Sequence, residues 1–181
     1  MRKMIVSTYV SLDGVIDNPM WTAPYWGDDI AKFQLDDLLA SDALLLGRES
    51  YVGFAEAWPG RTDEAGFADY INSMAKFVAS TTLKTVEWTN SSLIKGDVAQ
   101  AIAKMKQQPG KNILKYGGGG LMHLLLQHNL LDELHVLVFP LFVGSGAQLF
   151  QDGSAANLKL VESKPFSSGV MALIYQPEPK A

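Results

Sequence analysis

Short apolar runs alternate with amphipathic helical patterns along most of this chain, and this alternation limits the folds open to it. Strand-like apolar runs lie at residues 4–10, 43–46, 76–79, 85–88, 112–116 and 134–139. Between these runs, apolar residues recur at helical spacing within residues 31–39, 67–74, 98–105 and 121–128. A strand that leads through a helix into the next strand is typical of a right-handed crossover. The pattern therefore predicts a largely parallel central sheet covered by helices.

The pattern changes after residue 139. Residues 157–162 and 169–176 alternate apolar and polar side chains, and Pro165 with Ser167-Ser168-Gly169 supplies a turn between them. This predicts an antiparallel hairpin that closes one edge of the sheet. No repeat or flexible linker divides the chain, so we predict one domain over residues 1–181. The predicted fold class is a three-layer α/β/α fold with a mixed, mainly parallel sheet and an antiparallel C-terminal hairpin.

Composition excludes several kinds of site and partner. The chain has fifteen Lys and Arg against nineteen Asp and Glu, a net charge of −4, and no basic stripe to line a nucleic-acid groove. It has no cysteine, which excludes disulfides, thiolate metal sites and a Cys nucleophile. Its three histidines lack metal-ligand spacing. The longest apolar run, residues 136–143, is far below the roughly 18 to 20 residues that cross a bilayer. We expect a cytoplasmic protein without metal, membrane or nucleic-acid partners.

The most informative segment is a glycine turn between a predicted strand and a predicted helix. Glycine lets a ligand approach the backbone, and a helix N-terminus offers unpaired N–H groups to a phosphate. Neither the Walker nor the Rossmann spacing fits, and a flexible turn is the alternative. The candidate cofactor-binding residues of this segment are Gly117, Gly118, Gly119, Gly120, Leu121 and Met122.

Two further strand ends carry groups suited to a phosphate. Arg48 stands after Gly47 in the expected first turn of a helix that also contains Ser50, where the helix dipole disfavours a cation unless an anion binds there. Pairing of an exposed Arg48 with a nearby carboxylate is the alternative. Ser80, Thr81 and Thr82 follow the next strand and are either phosphate or ribose contacts or an ordinary turn. Because all three turns would lie at carboxyl ends of sheet strands, together they suggest a dinucleotide site.

The loop after the first strand contains the candidate substrate contacts. Asp13 opens a turn with Gly14, and Asp28 and Asp29 begin a helix after the loop tryptophan. The two helical carboxylates either complement the helix dipole or supply one group that faces a half-apolar pocket with Trp21 and Phe33. In the second case the pKa of that carboxyl would be raised, and it could protonate a nitrogen heterocycle.

Taken in order, these segments resemble the dihydrofolate reductase-like superfamily, in particular the branch that includes the reductase domain of bacterial riboflavin biosynthesis. The matching segments are Ser11-Leu12-Asp13-Gly14, residues 46–51, residues 79–81, residues 116–120, and residues 131–134 leading into residues 140–146. Single motifs are weakly specific, but five in the same order over residues 3–176 are strong.

The resemblance implies that NADPH is the hydride donor and that the protein is a homodimer. It places Gly47 and Arg48 with Ser80 and Thr81 at the adenosine end and its 2′-phosphate. It places Gly117 to Leu121 around the pyrophosphate and Ile16 beside the nicotinamide. It also implies a cis peptide bond in the glycine turn, which we expect between Gly117 and Gly118. Residues 15–33 contain only Lys32 as a cation, so a substrate phosphate has no obvious partner there.

The main functional hypothesis is an NADPH-dependent reductase of a pyrimidine or pteridine-type heterocycle, resembling 5-amino-6-(5-phosphoribosylamino)uracil reductase, with Asp29 or a water that it holds as the proton donor. The alternatives are a dihydrofolate reductase-like activity, a nucleotide-binding module without turnover, and a flavin-handling or structural dimer. The sequence alone does not separate them.

Overall fold

The computed structural model describes residues 1–150, 153 and 155–178. The described strands are β1 Met4–Ser11, β2 Ser41–Gly47, β3 Ala75–Ala79, β4 Ser91–Leu93, β5 Asn112–Tyr116, β6 Glu133–Phe139, β7 Leu158–Pro165 and β8 Met171–Pro177. The described α-helices are α1 Asp28–Leu39, α2 Arg48–Ala57, α3 Phe67–Ser73, α4 Val98–Gln107 and α5 Gly120–Gln127. A 3₁₀ helix at Pro19–Tyr25 precedes α1.

All eight described strands join one sheet in the order β4-β3-β2-β5-β1-β6-β8-β7. The strands from β4 to β6 in this order pair in parallel. Strand β8 is antiparallel to both β6 and β7, so the hairpin forms one edge. This confirms the predicted mixed, mainly parallel sheet, its antiparallel C-terminal hairpin and the three-layer α/β/α class.

Alternating residues of the sheet pack against different helices. On β1, Met4, Val6 and Val10 belong to a buried cluster that includes Ile102 of α4 and Leu125 of α5. Residue Ile5 instead packs in a cluster with Leu38 of α1 and Ile71 of α3. Because side chains alternate along a strand, the even positions of β1 face α4 and α5, whereas the odd positions face α1. This alternation decides which side chains can reach a site on the α1 face.

The helix ends follow the sequence signals. Helix α4 begins after Asp97, whose carboxylate accepts a hydrogen bond from the N–H of Gln100 at 2.9 Å. The helix ends at Gln107, just before Pro109 and Gly110, which are typical of a helix end. None of the described helices combines the length and apolarity needed to span a bilayer.

The strand expected at residues 85–88 is absent, and the edge strand is Ser91–Leu93 instead. The hydroxyl of Tyr51 accepts hydrogen bonds from the N–H groups of Glu87 at 2.8 Å and Trp88 at 3.0 Å. The Trp88 indole N–H donates to Oδ1 of Asn72 at 2.8 Å. These side chains bind the backbone donors that a strand would use, so the apolar run here anchors a loop rather than a strand.

Candidate functional site

The turns singled out in the sequence meet along one edge of the sheet. Strands β3, β2, β5 and β1 are consecutive neighbours and run parallel. The segments at 80–82, 47–50, 117–120 and 12–18 therefore follow one another along the carboxyl edge, at a strand spacing of about 4.8 Å. This is the place where open α/β sheets bind ligands.

A cavity of about 800 Å³ lies at this edge, between the ends of β1 and β5 and the helices α1, α2 and α3. Ile16, Ser50 and Gly117, all predicted as cofactor contacts, line it. Its walls are rich in aromatic side chains, namely Tyr9, Trp26, Phe54, Trp58, Phe67 and Tyr116. Such walls suit a flat heterocyclic ring.

The glycine turn leaves its backbone open to a ligand. Gly117 and Gly119 have φ of 78° and 82°, in the left-handed region that favours glycine, and a Cβ at either would meet no atom within 4 Å. A Cβ at Gly118 would instead lie 2.9 Å from Cδ1 of Ile16. The expected cis peptide bond between Gly117 and Gly118 is wrong, since every described peptide bond is trans.

Helix α5 begins at Gly120, directly after the turn. Its first residues differ in how deeply their side chains are buried. The Met122 side chain is buried in the cluster that packs against the sheet, whereas Leu121 is partly buried beside it. The Met122 side chain therefore packs in the core, and the predicted cofactor contact of this residue stays a prediction for its backbone N–H.

A buried lysine on β5 binds the carbonyl oxygens of the glycine turn. The Lys115 ammonium donates hydrogen bonds to the carbonyl oxygens of Gly117 at 2.5 Å and Gly118 at 2.9 Å, and it lies 3.3 Å from that of Tyr116. In a trans peptide the next N–H points opposite to the carbonyl. The N–H groups of Gly118 and Gly119 therefore point away from Lys115. Burial lowers the pKa of Lys115 to about 8, so the ammonium is still protonated at pH 7.

Arg48 is the first residue of α2, as expected, and its side chain is exposed. Among the described residues it takes part in no ion pair. The alternative, a pairing of Arg48 with Glu49 or Asp42, is absent from the described ion pairs, and Asp42 binds Arg2 instead. Gly47 precedes Arg48 and has an ordinary extended backbone. A residue with a side chain would fit at this position without backbone strain.

The hydroxyl turn after β3 is locally satisfied. The Ser80 hydroxyl accepts hydrogen bonds from the N–H groups of Thr82 at 3.2 Å and Leu83 at 3.0 Å. Thr81 and Thr82 are exposed and do not line the cavity. The turn is therefore built by its own side chain, and the two threonine hydroxyls remain accessible at the carboxyl edge.

Asp29 lies outside the cavity. Its carboxylate accepts hydrogen bonds from the N–H of Ser167 at 2.7 Å, in the turn between β7 and β8, and from the N–H of Ile30 at 2.9 Å. These N–H groups, with that of Ser167 foremost, lower the pKa of Asp29. The expectation of a raised pKa in a half-apolar pocket is wrong, because the carboxylate is partly exposed and hydrogen-bonded.

Trp21 and Phe33 are also directed away from the cavity. Trp21 packs edge-on against Phe139 with ring centroids 5.5 Å apart, and its indole N–H donates to the Asp17 carbonyl at 3.0 Å. Phe33 packs between His135 and Phe166. Neither lines the cavity, where Trp26 stands instead.

Asp13 connects two loops. Its carboxylate accepts hydrogen bonds from the Ser11 hydroxyl at 2.5 Å, the Val143 N–H at 3.0 Å and the Gly144 N–H at 2.7 Å. These bonds, with that of Ser11 the largest cause, lower the pKa of Asp13 to about 2. Two of these bonds hold the backbone of the loop at Val143 and Gly144, and Asp13 does not line the cavity, so its contact with a substrate stays a prediction.

Sequence reasoning missed the face of α1 that does line the cavity, formed by Ala31, Gln34 and Leu35. At about 100° per residue, positions 31, 34 and 35 share a face, whereas position 29 lies about 200° from position 31. The signal in the sequence was the helix face on which the apolar stripe lies, since that stripe begins at Ala31 rather than at Asp29. Gln34 is the polar residue within that stripe.

Polar side chains form a buried layer behind the cavity. Tyr116, Ser7 and His135 are register partners on β5, β1 and β6, so they share one row across the sheet. The Gln34 amide lies 3.4 Å from the Ser7 hydroxyl, and both oxygens of Asp37 lie 3.0 Å from Nδ1 of His135. A buried row of polar side chains is unusual, because the interior positions of a protein are mostly apolar.

Burial and backbone hydrogen bonds set the protonation states in and behind the cavity. Burial, together with Asp37, raises the pKa of Tyr9, and the pKa of Tyr116 is raised by burial and then by Tyr9 and Asp37. Both phenols therefore keep their protons at neutral pH. The Asp63 carboxylate at the cavity rim accepts hydrogen bonds from the N–H groups of Ala68 and then Phe67, which lower its pKa, so it is ionised at neutral pH.

Known proteins are similar to this chain in sequence and in fold. Residues 2–172 match the family described as the RibD C-terminal domain. The chain is 30% identical to the "Uncharacterized protein YyaP" of Bacillus subtilis (strain 168), over 96% of this chain and 94% of that protein.

Solved structures agree with this match. The "Putative riboflavin biosynthesis protein" of Shewanella sp. PV-4 has a TM-score of 0.78 at 23% identity, covering 98% of this chain and 99% of that one. The Thermotoga maritima diaminohydroxyphosphoribosylaminopyrimidine deaminase/5-amino-6-(5-phosphoribosylamino)uracil reductase has a TM-score of 0.65 at 16% identity. The match covers 97% of this chain but 57% of that bifunctional protein. The chain therefore belongs to the RibD C-terminal domain family, and it shares its fold with these solved structures.

Proposed function

We propose that the protein is an NADPH-dependent reductase of a pyrimidine or pteridine-type heterocycle. The observation that carries this proposal is the contact between two features: an aromatic-walled cavity of about 800 Å³ and an open glycine turn, which share Gly117. A ring bound in the cavity would lie beside a cofactor held at the turn, with Ile16 at the boundary. Membership of a family with reductase relatives agrees with this arrangement.

The residues present fit a dinucleotide. The open space in front of Gly117 and Gly119 admits a diphosphate close to the backbone, because no Cβ stands there. Arg48, exposed and without an ion pair among the described residues, would hold the 2′-phosphate that distinguishes NADPH from NADH. When bound, NADPH supplies a hydride to an electrophilic carbon of the substrate.

The chain itself holds protons for such a reaction at two phenols. The Tyr116 hydroxyl is buried, keeps its proton and has no hydrogen-bond partner in the described structure. It could donate to the substrate directly or through a water, as could Tyr9. Asp29 as the acid remains a prediction, but its position outside the cavity and its lowered pKa speak against it.

The first substrate to test is the pyrimidine named in the Thermotoga relative, 5-amino-6-(5-phosphoribosylamino)uracil. Lys32 does not face the cavity and forms an ion pair with Asp36 at 2.7 Å. Arg61 is the cation among the described residues that line the cavity, and it lies over the Trp58 ring at 5.2 Å. A substrate phosphate would therefore bind Arg61 at the rim.

The test is NADPH oxidation, followed at 340 nm, with this pyrimidine and with dihydrofolate as the alternative substrate. The proposal expects substrate-dependent oxidation and loss of most of it in Tyr116→Phe. Tight NADPH binding without oxidation by any pyrimidine or pteridine would favour the nucleotide-binding module. Absence of NADPH binding would overturn the proposal.

We also propose that the protein is a cytoplasmic homodimer, as members of this branch often are. Light scattering coupled to size-exclusion chromatography measures the mass directly, and a monomer would contradict the dimer. The catalytic proposal does not depend on that outcome, since every residue named above belongs to one chain.

A further inference from the structure

The buried wall of the cavity contains two polar atoms that have no hydrogen-bond partner among the described residues. Gln34 is 3% exposed, its Nε2 lies at a marginal 3.4 Å from the Ser7 hydroxyl, and its Oε1 has no partner in the described structure. The Tyr116 hydroxyl is likewise buried and unpaired. Both side chains line the cavity, and Tyr116 is the register partner of Ser7 on the neighbouring strand.

Buried polar atoms without partners cost folding free energy, so they are rare in proteins. An apolar residue in place of Gln34 would continue the stripe of Ala31, Leu35 and Leu38 on α1 and would avoid that cost. Two such atoms in the wall of one cavity are explained if a ligand supplies the missing partners. The weak contact with Ser7 lets the amide turn toward a ligand at little cost.

We propose that Gln34, with the Tyr116 hydroxyl in the same cavity wall, is the residue that selects the polar edge of the heterocycle. An amide carries one acceptor and one donor group, and either orientation of the side chain presents both. It therefore matches a ring edge on which N–H stands next to C=O. A carboxylate would instead match two adjacent N–H donors, such as the edge of a 2-amino-substituted ring. This inference rests on the proposed function only in taking the cavity as the substrate site.

The experiment compares two fluorescent ligands of nearly the same shape that differ at this edge. Lumazine carries alternating N–H and C=O groups, whereas pterin replaces one C=O with an amino group and so has adjacent donors. Their dissociation constants are measured by fluorescence titration without cofactor. Gln34→Glu should shift the ratio of the two affinities toward pterin by about tenfold or more. Gln108→Glu, with the same change of charge at an exposed helix end, should leave the ratio unchanged.

A second variant keeps the proposal testable if the buried carboxylate prevents folding. Gln34→Leu should weaken both ligands about tenfold while raising the melting temperature, because it removes the unpaired oxygen. A purely structural glutamine would show the opposite, with lower stability and unchanged binding. The proposal is overturned if neither ligand binds the wild type, if Gln34→Leu binds both normally, or if Gln34→Glu leaves the ratio unchanged. This test does not measure NADPH oxidation. If the protein fails to oxidise NADPH, that result counts against the proposed function and leaves the proposal for Gln34 standing.

Discussion

The carboxylate of Asp29 holds the turn between β7 and β8 rather than facing the cavity. Its Oδ2 accepts the N–H of Ser167 at 2.7 Å, which fastens α1 to the hairpin. An amide at this position keeps an acceptor for that N–H. Asp29 is therefore suited to positioning the first turn of α1. Replacing its carboxylate with an amide should change turnover little.

Asp29→Asn is expected to retain turnover within about tenfold, whereas loss of a proton donor costs roughly 10² to 10⁴ in rate. Asp28→Asn, at the exposed neighbouring position, is the matched control. The measurement is kcat for the two variants with the substrate found above. A drop beyond a hundredfold in Asp29→Asn alone would restore Asp29 as the acid.

The buried pair of His135 and Asp37 makes stability depend on pH. Burial by itself lowers the pKa of His135, but hydrogen bonds and charge attraction from Asp37 and then Glu133 outweigh it, so the pKa is raised. A raised folded pKa means that the pair stabilises fully below the unfolded pKa of about 6.5 and loses that contribution as pH rises through the folded value.

Urea unfolding between pH 5.5 and 7.5 should therefore show a free energy of unfolding that falls with rising pH. The range stops below pH 8, because the lowered pKa values of Lys76 and Lys115, each about 8, give the opposite slope above it. Asp37→Asn should flatten the dependence and lower stability. An equal slope in Asp37→Asn and wild type would show that another group is responsible.

At the scale of single elements, the glycine turn is held in place by β5 rather than by its own side chains. Lys115 of β5 binds the carbonyls of Gly117 and Gly118, and this directs the following N–H groups outward. Lys76 is a second buried lysine that binds backbone carbonyls, but it lies far from the glycine turn. It is fully buried at the start of β3 and donates to the carbonyls of Asn72, Met74 and Thr89.

Lys115→Met and Lys76→Met therefore form a matched pair. Each should lower the free energy of unfolding by about 1 to 3 kcal/mol, because buried carbonyls lose their donor. Only Lys115→Met should also weaken NADPH binding, by about tenfold, since the turn would no longer be fixed before the cofactor arrives. Titration of both variants with NADPH checks this. Equal affinities would mean that Lys115 contributes to folding alone.

Helix α1 shows where sequence reasoning was sufficient and where it was not. Its start at Asp28 and its apolar stripe were predictable from the spacing of Ala31, Leu35 and Leu38. The face of α1 that lines the cavity was not predicted, because Trp21 was taken as the aromatic residue beside the site. The unpredicted 3₁₀ helix at Pro19–Tyr25 places Trp26 there instead, and this shifts the relevant helix positions to Ala31 and Gln34.

At the scale of the whole molecule, the convergence of the strand ends was predictable because it depends only on parallel order. Alternating strands and helices with right-handed crossovers bring the segments after β1, β2, β3 and β5 to one edge. The polar row of Tyr116, Ser7 and His135 was not predictable from the sequence. These residues come from distant strands, and their alignment depends on the register of β5, β1 and β6, which no local pattern specifies.

The central claim, that NADPH binds along this edge with its 2′-phosphate on Arg48, is tested most directly by equilibrium titration with NADPH and NADH. The wild type should bind NADPH about ten- to a hundredfold more tightly, since a charge-assisted phosphate contact contributes about 1.5 to 3 kcal/mol. Arg48→Ala should lose most of that preference, while Lys159→Ala on β7, at the opposite edge of the sheet, should keep it. Equal affinities for the two cofactors in the wild type, or an unchanged ratio in Arg48→Ala, would contradict the claim.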